Sequence, residues 1–356
     1  MDIGRRRPAS IVTRTCRWSR TLALGLALGL PLGLGLVLNG CGTPGRTAAP
    51  TDEAVVKTFV AQVVQPNNTK LVAETGALQA AIQRLTDKPS DERLEAARQA
   101  WLAARHTWET SESWAFGPAQ TEGFDGALDS WPVNRKDLAA ALGGAAFTAD
   151  TFVALSDTAK GFHGIEWVIF GGNRGQRPSA AQLTPNDLAY LRLATDDLHR
   201  QAEGLLASWS GPQGFGARIS SPAEAGTAVQ EMLQGVIGLL QEEGDEKLGQ
   251  PLNSRDPRSL ESADSGNTQA DLLANVKGAR QVLLTTGLLE RIRRKDVELG
   301  QQIDAQTAQA VDLAKALPHP INDHLHNPAS RKAMEQLISQ LHSAAKLVER
   351  SVPLLS

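Results

Sequence analysis

Cysteine is almost missing from this chain of 356 residues: there are two, Cys16 and Cys41. Beyond Cys41 no disulfide can staple the fold. Any metal site there must use oxygen and nitrogen ligands, which favours iron, manganese or zinc over copper(I) or an iron–sulfur cluster. G-x-S-x-G, the P-loop and the dinucleotide glycine fingerprint are absent too. There is no strand pattern of convincing length and no defensible internal repeat. What is present is globular: 41% hydrophobic and 21% charged residues, enough for a sizeable core.

The first forty residues stand apart. Arg5, Arg6, Arg7, Arg14, Arg17 and Arg20 form a basic start, and Thr21 to Leu38 is an uncharged run of Leu, Gly and Ala. Leu38-Asn39-Gly40-Cys41 follows, a small-residue cleavage site ending in cysteine. This resembles a bacterial lipoprotein signal, with residues 1–40 removed and Cys41 lipidated; an ordinary signal peptide or an uncleaved anchor is the plainer alternative. The expected address is the periplasmic face of a membrane. Gly42 after the cysteine favours the outer membrane. Removing residues 1–40 takes six arginines and Asp2 from 36 basic and 39 acidic residues, leaving a net charge of −8. An acidic body argues against nucleic acid as a partner.

Residues 41–51 read as a short tether, and the pattern from Asp52 onward is helical. Val55, Val56, Phe59, Val60, Val63 and Val64 keep a helical period that Pro66-Asn67-Asn68 is expected to break. Ser90 or Asp91 caps a long helix whose inward stripe is Leu94, Ala97, Trp101, Ala104 and Trp108. Thr184-Pro185-Asn186-Asp187 caps another. Ser208 to Ser220 is the expected internal boundary. The expectation is an all-α fold of two helical-bundle halves, residues 52–211 and 220–356, with a cleft between them. Gly244 to Asn267 is expected to be a long irregular connection.

The first half contains Gly161-Phe162-His163-Gly164-Ile165-Glu166-Trp167-Val168-Ile169-Phe170-Gly171-Gly172. On a helix His163, Glu166, Trp167 and Phe170 share one stripe, and Phe162, Ile165 and Ile169 another. A helix apolar all round is buried, and a buried His and Glu must pair, hydrogen-bond or hold a metal. A His–Glu hydrogen bond that merely satisfies the core is the plain reading. Two ligands one turn apart also fall short of the roughly four a closed site needs. H-E-x-x-H is absent, and Trp167 stands where H-x-x-E-H has its second histidine.

Other candidates are scattered. Glu112, four residues past Trp108, is the best ligand candidate outside that stretch. Its plain readings are a partner for Arg105 or a frayed helix end. Arg105 itself is expected to lay its stem along Trp101 and Trp108 with its head in solvent. Asp129 is a ligand or a turn residue before Trp131-Pro132. One of His319, His324 and His326 could supply a further ligand.

The segment Gly161-x-His163-x-x-Glu166 resembles the signature of the imelysin-like family. That family includes iron-regulated lipoproteins and periplasmic iron-uptake components, and is also classed with peptidases. Further blocks agree in order: Ala97-Arg98-x-x-Trp101 with Trp108-Glu109 and Phe116-Gly117-Pro118; Leu128-Asp129-Ser130-Trp131-Pro132-Val133-Asn134; and Lys247-Leu248, Pro251-Leu252 and Glu261-Ser262-x-x-Ser265-x-Asn267-Thr268-x-x-Asp271. The likeness runs over about residues 52–350. It implies an exported, all-helical protein in two parts, linked to iron acquisition, with His163 and Glu166 at the cleft. Glu112, Asp129 and Glu261 lie in its blocks.

Two functions follow as expectations. One is a lipid-anchored module that holds a divalent or trivalent metal, iron first, or a small iron-bearing ligand, and serves a membrane iron transporter. His163, Glu166, Glu112 and one more carboxylate would hold the ion. The other is a zinc metallopeptidase, which needs an open metal position and a free acid such as Glu112 or Glu261 as base. A cleft that binds a peptide or siderophore without metal is a third, weaker option.

Overall fold

The computed structural model describes residues 49–172 and 176–356. The signal segment and Cys41 lie outside the described residues, as does most of the tether. All regular elements among the described residues are helical, and none of those helices is long and apolar enough to cross a membrane.

Thr51 caps α1 (Asp52–Phe59), its hydroxyl accepting from the Ala54 amide at 3.2 Å. The helix does not stop at Pro66. A π-helical turn (Val60–Val64) leads directly into α2 (Gln65–Asp87). The wider turn changes the hydrogen-bond register, and Pro66 falls in the first turn of α2, where a missing N–H costs little. Ser90 caps α3 (Asp91–Thr110). The expected stripe of α3 is buried in full, from Leu94 to Trp108.

Two short helical turns, Glu112–Trp114 and Pro118–Thr121, connect α3 to α4 (Phe124–Asp129), and α5 (Gly161–Phe170) carries the apolar stretch. The Thr184–Asp187 capping box opens α6 (Pro185–Trp209). Beyond it come α7 (Ala225–Glu242), α8 (Thr268–Thr285), α9 (Val297–Ala316) and α10 (Pro328–Ser351). The segment expected to be irregular is partly ordered. α7 continues as a π-helical stretch (Glu243–Gly249) and a short helix (Gln250–Ser254).

Helix α2 packs between α3 and α6, while α7 and α9 pack on α10. Across the division expected near residue 212, α3 packs on α8 and α1 on α7. Every residue of α5 is buried, held against α3, α4 and α6. The Trp101 indole N–H donates to the Phe162 carbonyl at 3.0 Å, tying α3 to the start of α5.

Candidate functional site

Two glycines set where His163 sits. Gly161 has φ +60, and a Cβ there would lie 2.4 Å from the Leu128 carbonyl oxygen. The first turn of α5 can therefore touch the end of α4, next to Asp129. Gly164 does the same on the other side, where a Cβ would meet the Tyr190 hydroxyl at 2.1 Å. At the far end, Arg98 donates to the carbonyls of Ile169 (2.8 Å) and Pro178 (2.7 Å). A cation there suits the negative end of α5.

The two ring nitrogens of His163 have different surroundings. Nδ1 is 3.1 Å from Glu166 Oε2 and hydrogen-bonded to it. Nε2 has no hydrogen-bond partner, though the residue is only 2% exposed. It faces Asp129 Oδ1 at 3.2 Å and Glu261 Oε1 at 3.6 Å. Ligand atoms of Asp129, His163 and Glu261 all lie within 4.8 Å of one another. Glu166 is turned away from that group: its other oxygen accepts from the Ser265 amide and the Ser265 hydroxyl, each at 2.8 Å.

Arg105 lies at the middle of these acids, fully buried, and its head does not reach solvent. Its guanidinium contacts Asp129, Glu109 and Glu261, the last at 2.9 Å, and its Nε is 3.7 Å from Asp271. The expectation of a solvated head fails because carboxylates from three distant segments supply the partners that water would have supplied. The partner on its own helix is Glu109, one turn away, not Glu112, which lies two turns away.

Glu112 instead faces Lys247, 3.6 Å from Nζ. Lys247 also reaches Glu261 at 3.0 Å, and Glu109 and Glu243 at 3.7 Å. Asn275 bridges Glu109 and Glu243 at 2.7 and 2.8 Å. Glu109, Glu112 and Asp129 form a second group with ligand atoms within 4.8 Å, so Asp129 belongs to both.

Seven carboxylates thus face at most three cations. Burial opposes charge on Glu109, Glu112, Asp129, Glu243, Glu261 and Asp271. It pushes the carboxyls of Glu109, Glu112 and Glu243 well above the usual range. Against the same burial, Lys247 and Arg105 hold Glu261 well below that range, and Arg105 and His163 lower Asp129. Burial and Arg105 oppose a proton on His163, yet Asp129 and Glu166 outweigh them and raise its pKa well above the ordinary imidazole value. The centre has a surplus of acid, neutralised by protons or by a further cation.

All five sequence candidates within the described residues therefore gather in one region, in different positions. Asp129, His163 and Glu261 converge, Glu112 stands one step away across Asp129, and Glu166 backs the histidine. None of His319, His324 and His326 belongs to either converging group. Glu109 and Glu243 were not singled out as site residues by sequence. Their signal was an acid and a base one turn apart, Arg105 with Glu109 and Glu243 with Lys247, on helices otherwise committed to the core.

Residues 64–348 match the family model described as imelysin. The chain is 33% identical over 326 residues to iron-regulated protein A of Synechococcus elongatus, spanning 86% of this chain and 88% of that one. Among solved structures it is similar to an iron-regulated protein A precursor from Parabacteroides distasonis, with TM-score 0.76, 20% identity, and 86% and 97% of the two chains covered. It is also similar to an imelysin-like protein from Psychrobacter arcticum, with TM-score 0.71, 16% identity, and 86% and 98% covered.

Proposed function

The chain belongs to the imelysin family, and from that premise we propose that it binds a metal cation at Asp129, His163 and Glu261. The observation that carries the reading is the buried His163 Nε2, which has no hydrogen-bond partner and faces two carboxylates while Glu166 engages Nδ1. A carboxylate on one ring nitrogen fixes the tautomer and leaves the other as a ligand. Glu166 therefore orients the imidazole and does not bind the metal itself. Two carboxylates and one imidazole suit iron, and the relative in Synechococcus is named as iron-regulated. The surplus of buried acid is charge that a bound cation would neutralise.

The metal, or a small iron-bearing ligand, is cargo in this reading. The protein is exported, anchored by lipid on Cys41, and hands its cargo to a membrane transporter. Zinc hydrolysis fits the same residues less well. It needs a free carboxylate as base, whereas Glu166 is held by His163 and Ser265, and Glu112 and Glu261 both face Lys247.

The test is metal content and affinity of the purified protein beside His163→Ala and Glu166→Ala. One equivalent of iron in the parent, lost in His163→Ala and bound more weakly in Glu166→Ala, is the expected result. A folded parent that takes up no iron, manganese or zinc overturns the reading.

A further inference from the structure

Beside the buried centre lies a cavity of about 640 Å³. Its walls come from the turn after α3, from α4 and from one face of α7. On α7, Thr227, Glu231, Gln234, Gly238 and Glu242 line it and are all exposed, so it opens to solvent. Glu112, Asp125, Glu224, Glu231 and Glu242 are its acids and Arg218 its one base. Arg218 is drawn to Glu224 at 3.6 Å and lies 4.7 Å from the Phe215 ring centroid.

One residue belongs both to this cavity and to the interior. Glu112 lines the cavity, and its carboxylate lies within 4.8 Å of ligand atoms of Asp129 and Glu109. Asp129 stands in the same relation to His163 and Glu261. The two groups share Asp129, so carboxylates lead from the cavity wall to His163 with ligand atoms of successive residues within 4.8 Å. We propose that the cavity is the entry station for the hydrated metal cation, and that Glu112 passes the ion to Asp129. This rests on the reading of Asp129, His163 and Glu261 as the metal centre, and adds its route and the form in which the ion arrives.

The size of the cavity fits that role. A water takes about 30 Å³, so the space admits an ion together with its hydration shell. Acidic walls concentrate cations, and such focusing raises association rates about 10- to 1,000-fold. Each step inward exchanges waters for one carboxylate, so the ion is never stripped of ligands at once. Lys247, beside both Glu112 and Glu261, obliges the arriving ion to share those carboxylates with an ammonium.

The route is tested with Co²⁺ alone on the full chain, by stopped-flow tryptophan fluorescence. The Trp108 indole donates to Asp129 at 2.6 Å and so reports arrival at that residue. Two variants act by different physics. Glu112→Gln replaces the relay carboxyl by an amide, which cannot give up a proton to the arriving ion. Gly238→Phe adds bulk at the cavity wall, at a position outside both ligand groups where a Cβ meets nothing within 4 Å. Each is expected to slow association at least tenfold while final stoichiometry stays at the parent value. The parent rate should fall with added salt, as steering by acidic walls requires. Parent-like association rates in both folded variants would overturn the route and leave the centre standing. Parent-like affinity in His163→Ala would overturn the centre, and the route with it.

Discussion

Ser265 gives both its backbone amide and its hydroxyl to a single oxygen of Glu166, each at 2.8 Å. The two residues are 99 positions apart. This contact fixes the carboxylate that in turn fixes His163. Ser265→Ala removes one of the two donors and loosens the imidazole without touching a ligand. Metal affinity should fall about 10- to 100-fold with stoichiometry unchanged. Isothermal titration of the folded variant reads this directly, and parent-like affinity would mean that Glu166 needs no such support.

Arg105 faces four acids in the interior, Asp129, Glu109, Glu261 and Asp271. Arg105→Met should destabilise the protein by about 3–5 kcal/mol, because it strands acids that water cannot reach. Arg105→Lys should recover little, since one ammonium cannot reproduce a planar fork that serves several carboxylates. Urea denaturation measures both. A loss under about 1 kcal/mol for the Met variant, the usual worth of an exposed pair, would contradict the arrangement.

Gly164 and Tyr190 are a steric pair. The tyrosine hydroxyl donates to the Ala159 carbonyl at 2.9 Å and occupies the space a Cβ at 164 would need. Gly164→Ala should cost about 1–3 kcal/mol through overpacking. In a Tyr190→Phe background part of that cost should disappear. A double-mutant cycle with no coupling would rule out the contact.

The acids surrounding the centre give ligand-free stability an unusual pH dependence. Burial pushes Asp125, Asp264 and Asp271 up to about 6. Their folded pKa values lie above the unfolded ones, so the folded state binds more protons between pH 7 and 5, and stability rises as pH falls through that window. His163, whose pKa is also raised, contributes in the same direction. Asp129 and Glu261 are held low, so their contribution is present above about pH 4 and is lost only in stronger acid. Melting temperature should therefore increase from pH 7 to 5 and drop well below 4. A steady decline from pH 7 downward would show that the acids are not buried as described.

Metal binding should run the other way. With its pKa raised, His163 carries a proton in the ligand-free protein at neutral pH, and a metal must displace it. Affinity should weaken by about tenfold per pH unit lost if one proton is released. Calorimetry in buffers of different ionisation enthalpy counts that proton. Zero protons released would mean that His163 is already neutral or not a ligand.

Much of the fold was legible in sequence because helices announce themselves locally. The α3 stripe from Leu94 to Trp108 and the caps at Ser90 and Thr184 all depend on residues three or four apart. Pro66 misled because a proline ends a helix only where its N–H is needed, and a π-helical turn upstream removes that need. The site was half legible. His163 and Glu166 stand out as polar residues in an apolar helix, but nothing local shows that Glu166 faces Ser265 while Nε2 faces Glu261. The place of Arg105 was hidden for the same reason. Three of its four acidic partners come from other segments, and alone on α3 it reads as a surface residue lying along two tryptophans.

The span of those partnerships bears on the order in which the molecule is completed. Arg105 meets Glu261 across 156 positions, and Glu109 meets Asn275 across 166. During synthesis from the amino end, Arg105 has Glu109 and Asp129 beside it, but Glu261, Asp271 and Asn275 arrive only when residues 261–275 exist. Until then part of the acid and base of α3 lacks the partners that accompany its burial. The late segment is therefore the condition on which the early helices finish folding. A chain cut short before Glu261 would hold all of α1 to α7 and still lack two of the four acids that face Arg105.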